Sequence, residues 1–353
     1  MTIKVLQWAT GRVGMECVRA AISHPDLVLA GVGVYSEEKL NRDLGELVAI
    51  DSLSVDPPGI TTVNVGDLVD IEADCVIHTP VGESRPDEAV EEICQLLGSG
   101  KNVCSTALMS LVHPQVMEPD HRERINAACD LGNSTFHATG INPGFFSDVV
   151  TMTLSGLCYE ITRVHAIEIY SYEAHTSQTT IDLVKLGRPL EEARQPRKSS
   201  VGPGDSAIYI LADALGFQVD EVRKEREHWA ADSTFDITAT QIQAGTLGAY
   251  RNIYRGFSNG REIVTFEFIG RAAPHCAPEW SAPARQGQHR WENRIYGKPD
   301  VVSSIEVGLD DTTGIAGATA TGMRAVNAVV PVCAAPKGIV TMKDLKLITA
   351  PIK

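Results

Sequence analysis

Three groups of residues in this chain have the types and the spacing to do chemistry. The first is Ala9-Thr10-Gly11-Arg12-Val13-Gly14, set between the apolar run Ile3–Trp8 and the helix-patterned run Arg12–Ser23. Small-x-Gly-x-x-Gly is the spacing of a strand–turn–helix joint that seats a diphosphate. The first position makes the tight turn, the second lets the backbone approach the ligand, and the third lets helix and strand pack closely. The helix start offers unpaired N–H groups and a positive dipole end. Arg12 can bring a guanidinium to a phosphate oxygen. The motif is weak alone and gains its weight from standing in a βαβ unit. The competing reading is two glycines that serve packing only.

The second group lies where later strands end: Thr79 and Pro80, Thr106, and Asn142-Pro143 in the run "GINPGF". In an open parallel sheet such strand ends carry the ligand contacts, and the Asn142 amide suits a carboxamide or a substrate. Cofactor type is read from the end of the second strand, "GVGVYSEEKLNRDLG". Ser36, Lys39 and Arg42 are suited to a ribose 2′-phosphate, whereas Glu37 and Glu38 suit a free 2′-hydroxyl. The balance favours NADP, with NAD left open.

The third group is Tyr170, Tyr172, Glu173 and His175, at the end of a long strand. Hydride exchange at carbon needs a proton donor for the heteroatom, and His175, Tyr172 and Glu173 are the candidates. Strand alternation predicts the two tyrosines on one face and Glu173 with His175 on the other. Ordinary polar residues on a sheet face are the competing reading. His78 is expected to be a strand-end residue bonded to backbone, and Trp280 and Trp291 to be packing aromatics. His275, Cys276, Glu279 and His289 fit no zinc spacing, so no metal is expected.

The elements that must position these residues follow from periodicity. Strand signals at Ile3–Trp8, Leu27–Val34, Cys75–Thr79, Lys101–Ser105 and Ser134–Ala138 alternate with helical runs at Arg12–Ser23, Pro86–Leu97 and Gln115–Leu131. That rhythm predicts a doubly wound parallel sheet, a Rossmann-type α/β fold. After Leu157 the strands lengthen and alternate, at 163–175, 221–231 and 246–272, with "SNG" at 258–260 as a hairpin turn. Helices are expected near 179–187 and 203–215, a loop over 273–290, a strand at 301–307 and an Ala-rich helix over 314–330. The plan is a dinucleotide-binding domain over 1–157 and an inserted α+β substrate and dimerisation domain over 158–312. The inserted sheet is open and mostly antiparallel. A segment over 313–353 returns to the first domain.

The 353 residues suit two domains, and the net charge of −14 argues against nucleic acid and anionic membrane partners. No apolar run approaches the roughly 20 residues of a membrane span. No signal peptide is read at the chain start. Eight cysteines without a C-x-x-C pair predict reduced thiols and a cytoplasmic location.

At "WATGRVG", "TGINPGF" and "MRAVNAVVPVCAAPKGIVTMKDL" the chain resembles the dihydrodipicolinate reductase-like oxidoreductases, near the 2,4-diaminopentanoate dehydrogenase and native amine dehydrogenase group. The resemblance runs end to end, in outline only over 175–300. It implies a homodimer and hydride transfer between a nicotinamide and the C=N or C=O carbon of a small molecule. Two departures stand out. The group's acidic residue near the "ST" strand end is missing from Ser105-Thr106-Ala107-Leu108-Met109-Ser110, which puts amine chemistry of that type in question. "SYEAHTSQTT" lacks the lysine of the true reductase, so dihydrodipicolinate is not the expected substrate. A dinucleotide-binding sensor without turnover and a sugar or polyol dehydrogenase of similar plan are the alternatives.

Overall fold

A computed structural model describes residues 2–49, 59–195, 201–285, 289–309, 311, 313 and onward to 351. The chain divides into two compact units, one made of Met1–Phe145 with Ala318–Lys353, the other of Phe146–Gly317.

The first unit opens with β1 (Ile3–Trp8), α1 (Arg12–Ser23), β2 (Leu27–Val34), the short α2 (Leu44–Val48) and β3 (Val63–Asn64). It continues with β4 (Cys75–His78), α3 (Pro86–Gly98), β5 (Asn102–Ser105), α4 (Pro119–Gly132) and β6 (Thr135–Ala138). The near-continuous apolar strands follow from burial on both sheet faces: every residue of β4 and β6 is buried. Helix α4 begins four residues later than its apolar pattern suggests. Pro119 takes the first helical turn, where its missing N–H costs nothing.

The second unit starts with a π-helical turn, Phe146–Val150, and α5 (Thr151–Ser155). Then come β7 (Glu160–Ser171), α6 (Gln178–Val184), α7 (Leu190–Arg194), α8 (Pro203–Leu215), β8 (Glu221–Ala230), β9 (Phe235–Asp236) and β10 (Gln241–Ile242). The long strands β11 (Leu247–Ser258), β12 (Arg261–Arg271), β13 (His289–Lys298) and β14 (Val301–Val307) complete it. Its six-stranded sheet has the order β14-β13-β7-β12-β11-β8. All neighbours are antiparallel except β7 and β12, so the sheet is mixed and mostly antiparallel. The β11–β12 hairpin turns on Asn259 and Gly260, both at positive φ, as a tight hairpin requires. Helix α8 packs Ile208 and Leu211 against Val164, Val264 and Ile295 of the sheet.

Strand β13 is the element the sequence pattern hides. Four of its ten residues are charged, yet it lies between β7 and β14. Three of the charges pair within the strand, where Arg290 donates to Glu292 at 2.8 Å and Arg294 donates to the other Glu292 oxygen, and Lys298 pairs with Glu160 of β7 at 2.7 Å. Alternation also fails at the end of β7. The strand stops at Ser171 and a turn follows, in which His175 N donates to Tyr172 O at 2.9 Å. His175 therefore returns to the tyrosine side rather than the opposite face.

The chain re-enters the first unit with α9 (Ala316–Cys333) and β15 (Gly338–Ile339). The parallel seven-stranded sheet then reads β15-β6-β5-β4-β1-β2-β3. The Ala-rich α9 packs Ala325, Val326, Ala328 and Val329 into the core shared with Cys17, Val18 and Ala21 of α1. A Cβ on Gly322 would come within 2.8 Å of Cys17 Sγ, so the helix approach depends on small residues. Among the described residues no helix is long and apolar enough to cross a membrane.

Candidate functional site

The strand order reverses between β1 and β4, and that switch point is where an open parallel sheet opens a crevice for a ligand. The glycine turn lies there. Ala9 adopts φ +76°, the left-handed conformation a glycine would usually supply, and its carbonyl accepts from Gln7 Nε2 at 2.8 Å. Gly14 is the packing glycine: a Cβ there would stand 2.1 Å from Ala9 O and 2.9 Å from Thr79 Oγ1. Gly11 is the opposite case, because a Cβ there meets nothing within 4 Å. Gly11 is also the N-cap of α1, with no side-chain cap and no acidic residue in the first turn. The mouth of the helix thus keeps its orphan N–H donors and its positive end for an anion. These features fit the diphosphate of a dinucleotide.

The other predicted positions divide. Lys39 joins the turn, with Nζ donating to Thr10 O at 3.0 Å. Ser36 caps the 3-10 turn Glu37–Lys39, its carbonyl accepting from Lys39 N. Arg42 is exposed and pairs with Glu46 at 3.5 Å. Thr79 is buried and its hydroxyl is engaged in joining strand ends, accepting from Gln7 Nε2 at 2.7 Å and donating to Trp8 O at 3.3 Å. Pro80 is buried after it, and Thr106 N donates to His78 O at 2.9 Å. Asn142 and Pro143 form a cis peptide in the turn after β6.

A polar network joins residues that the sequence keeps far apart. Trp8 Nε1 donates to Tyr35 Oη (2.9 Å), Arg85 Nη2 donates to the same oxygen (2.6 Å), and Tyr35 donates to Glu92 Oε1 (2.8 Å). Arg85 also pairs with Glu92 at 2.8 Å and lies over the Tyr35 ring. His78 Nε2 stands 3.3 Å from Glu92 and Nδ1 3.0 Å from Ser105 Oγ. Burial opposes charge on Glu92, but hydrogen bonds from His78, Arg85 and Tyr35 outweigh it and hold its carboxyl down to about 2. Burial lowers His78, so the neutral ring donates to ionised Glu92 and accepts from Ser105. His78 is thereby a structural link between strand ends. Its bonds go to side chains rather than to backbone.

In the second unit the rings of Tyr170, His289, Trp291 and Phe146 form a stacked column, with successive centroids 4.0, 4.8 and 3.9 Å apart. Tyr172 meets Tyr170 edge-on at 4.4 Å, and its hydroxyl is 3.0 Å from that of Tyr250. His175 lies 6.2 Å from Tyr170 and 5.8 Å from Tyr172 by ring centroid, and its Nδ1 accepts from Ser177 N at 3.2 Å. Tyr172 is buried, His175 half-buried and Glu173 exposed. Trp280 carries Arg251 over its ring. His275 packs on Phe235, apart from the His289 column.

Two buried histidines make acid stability predictable. Burial, reinforced by His175, holds His289 down to about 3. Burial holds His137 down to about 4; its Nδ1 is 3.0 Å from Val340 O, and its Nε2 is buried with no acceptor for a proton. Below the ordinary value of 6.5 the unfolded chain takes up protons that both folded sites refuse. Stability is therefore full above 6.5 and falls as the pH drops toward 4, on the order of 1 kcal/mol per pH unit for each histidine. The urea midpoint should decline between pH 7 and pH 5, and a flat midpoint would contradict these assignments.

Residues 145–353 match the family model described as the 2,4-diaminopentanoate dehydrogenase C-terminal domain. An amine dehydrogenase of Streptomyces virginiae is 31% identical over 351 residues, covering 98% of this chain and 96% of that protein. The structure of an amine dehydrogenase from Mycobacterium smegmatis superposes with a TM-score of 0.81 at 18% identity, covering 99% of this chain and 98% of that one. A scyllo-inositol dehydrogenase from Lactobacillus casei, solved with NAD(H) and scyllo-inositol, gives a TM-score of 0.51 at 14% identity over 94% of this chain and 95% of that one.

Proposed function

This chain belongs to the family of 2,4-diaminopentanoate dehydrogenases and amine dehydrogenases, and from that premise we propose that it interconverts a small primary amine and its carbonyl compound. It is an NAD(P)-dependent oxidoreductase. The observation that carries the cofactor half of the reading is the open mouth of α1 at Gly11, beside the packed Gly14. The residues that would hold the dinucleotide are Ala9, Thr10, Gly11, Arg12, Val13 and Gly14 at the diphosphate. Thr79, Pro80, Thr106, Asn142 and Pro143 would serve along the strand ends. Bound there, the nicotinamide supplies hydride exchange at the substrate carbon.

We favour NADP. Lys39 reaches the turn through Thr10 O, Ser36 precedes it at the head of the 3-10 turn that also carries Glu37 and Glu38, and Arg42 would have to release Glu46 to join them. His175 and Tyr172 are proposed to act at the substrate heteroatom, by hydrogen bond or proton transfer; exposed Glu173 has the weakest claim. A homodimer in the cytoplasm is the accompanying reading. The eight cysteines are all free thiols, which supports a reducing compartment.

The test has two parts. Fluorescence titration should give NADPH a Kd at least about tenfold below that of NADH; equal affinity removes the 2′-phosphate reading. A panel of primary amines, of ketones with ammonium, and of alcohols should change cofactor absorbance only with the first two classes. Turnover of alcohols alone would move the reaction from C–N to C–O.

A further inference from the structure

The successive carbonyls of Ala9, Thr10 and Gly11 in the glycine turn are each taken from within the chain. Gly11 O accepts from Met15 N at 2.9 Å, the first bond of α1. Thr10 O accepts from Lys39 Nζ at 3.0 Å, and Ala9 O accepts from Gln7 Nε2 at 2.8 Å. A carbonyl oxygen carries partial negative charge and repels a diphosphate, whereas successive N–H groups cradle one. With its carbonyls claimed, the turn offers a ligand its N–H groups.

Gln7 takes part in this from inside the sheet. It is a fully buried residue of β1, between β2 and β4. Its other short bond runs from Nε2 to Thr79 Oγ1 at 2.7 Å, so one amide clips the turn to the end of β4. The carbonyl it holds lies against α1, where a Cβ on Gly14 would stand 2.1 Å away. The conformation it holds is one that alanine resists, because φ +76° crowds the Cβ of any residue but glycine. The far end of the side chain costs stability: Oε1 is buried and, among the described residues, has no partner. Turning the amide over would not relieve it, since the oxygen would then face Ala9 O. An apolar side chain of the same length would avoid that cost, so a glutamine here is explained by what its nitrogen does.

We propose that Gln7 is a positioning residue of the dinucleotide site. It keeps the Ala9 carbonyl turned into the strand–helix joint, so that the peptide after Ala9 does not turn over and present its oxygen to the diphosphate. The proposal rests on the placement of the diphosphate at this turn. The competing role is a plain tie between the ends of β1 and β4.

Gln7→Met removes the donor and keeps the length. Fluorescence titration of Q7M should give an NADPH Kd at least about tenfold above that of the wild type. Adding Ala9→Gly to that variant should bring the Kd back to within about threefold of the wild type, because glycine takes positive φ without a clip. A strand tie predicts otherwise: Q7M melts lower, its folded form binds NADPH as the wild type does, and Ala9→Gly brings no recovery. Gln7→Asn keeps the amide and draws it back by one methylene, and it repeats the comparison should Q7M not fold. A Kd within about threefold of the wild type in Q7M or Q7N, or one equally weak with and without Ala9→Gly, overturns the role of Gln7. Failure of Gly11→Asp to weaken NADPH binding moves the diphosphate away from this turn, and the proposal falls with it.

Discussion

A Gly11→Asp variant is expected to melt close to wild type and to bind NADPH at least about 100-fold more weakly. Both halves follow from one geometry. Gly11 has φ −69°, which any residue adopts, and a Cβ there meets nothing. Aspartate is moreover a favoured N-cap, so the unliganded helix α1 gains a bond to the free N–H of Val13 or Gly14. The same carboxylate then occupies the donors and the positive helix end that a diphosphate needs, and meets it with like charge. Losing two charge-assisted hydrogen bonds at about 1.5–3 kcal/mol each corresponds to at least two orders of magnitude in Kd. Gly14→Ala is the contrasting control. Its Cβ would sit 2.1 Å from Ala9 O, so it should lose stability as well as binding, by about 1–3 kcal/mol. Wild-type affinity in a folded Gly11→Asp protein would place the dinucleotide elsewhere.

What the sequence made legible was whatever is local. The turn at 9–14, the βαβ rhythm and the Asn259-Gly260 hairpin each depend on residues within a few positions of one another, and periodicity or turn chemistry reports them. The network of Trp8, Tyr35, His78, Arg85 and Glu92 could not be read that way. It forms only because β1, β2 and β4 end at one edge and α3 brings Glu92 beneath them. The clip at Gln7 escaped for the same reason, since its partner Thr79 lies 72 residues on and follows another strand. Strand β13 escaped for a different one: self-paired charges removed the apolar alternation that marks a strand. At Tyr172–His175 strand alternation does not extend past the end of the strand. The chain leaves the sheet at Ser171, so side chains assigned to opposite faces meet. The signal available was the loss of apolar residues in Glu-Ala-His-Thr-Ser after Tyr172, where the strand pattern ends.

His175→Ala is expected to lower kcat for amine oxidation by at least about 100-fold, while leaving the NADPH Kd and the fold in place. Ser177 N–H donates to His175 Nδ1 at 3.2 Å, so the neutral imidazole must carry its proton on Nε2. The ring thus offers Nε2–H as a hydrogen bond for the substrate heteroatom. With Nδ1 already accepting, this tautomer has no lone pair with which to take a proton, so the role of the half-buried ring is to hold that atom. Tyr172 is a different case. Its hydroxyl is buried and bonded to Tyr250 at 3.0 Å, and its ring belongs to the core, so removing the whole side chain would confound packing with chemistry. Tyr172→Phe takes away one oxygen only. If Tyr172 supplies the proton, the rate falls as far as in H175A. If it only fixes the ring beside it, the loss is one buried hydrogen bond, about 1 kcal/mol of stability, and turnover stays within a few-fold. H175A and Y172F together therefore assign the donor: a deep loss in one and a shallow loss in the other names it, and full turnover in both removes the Tyr172–His175 turn from the chemistry.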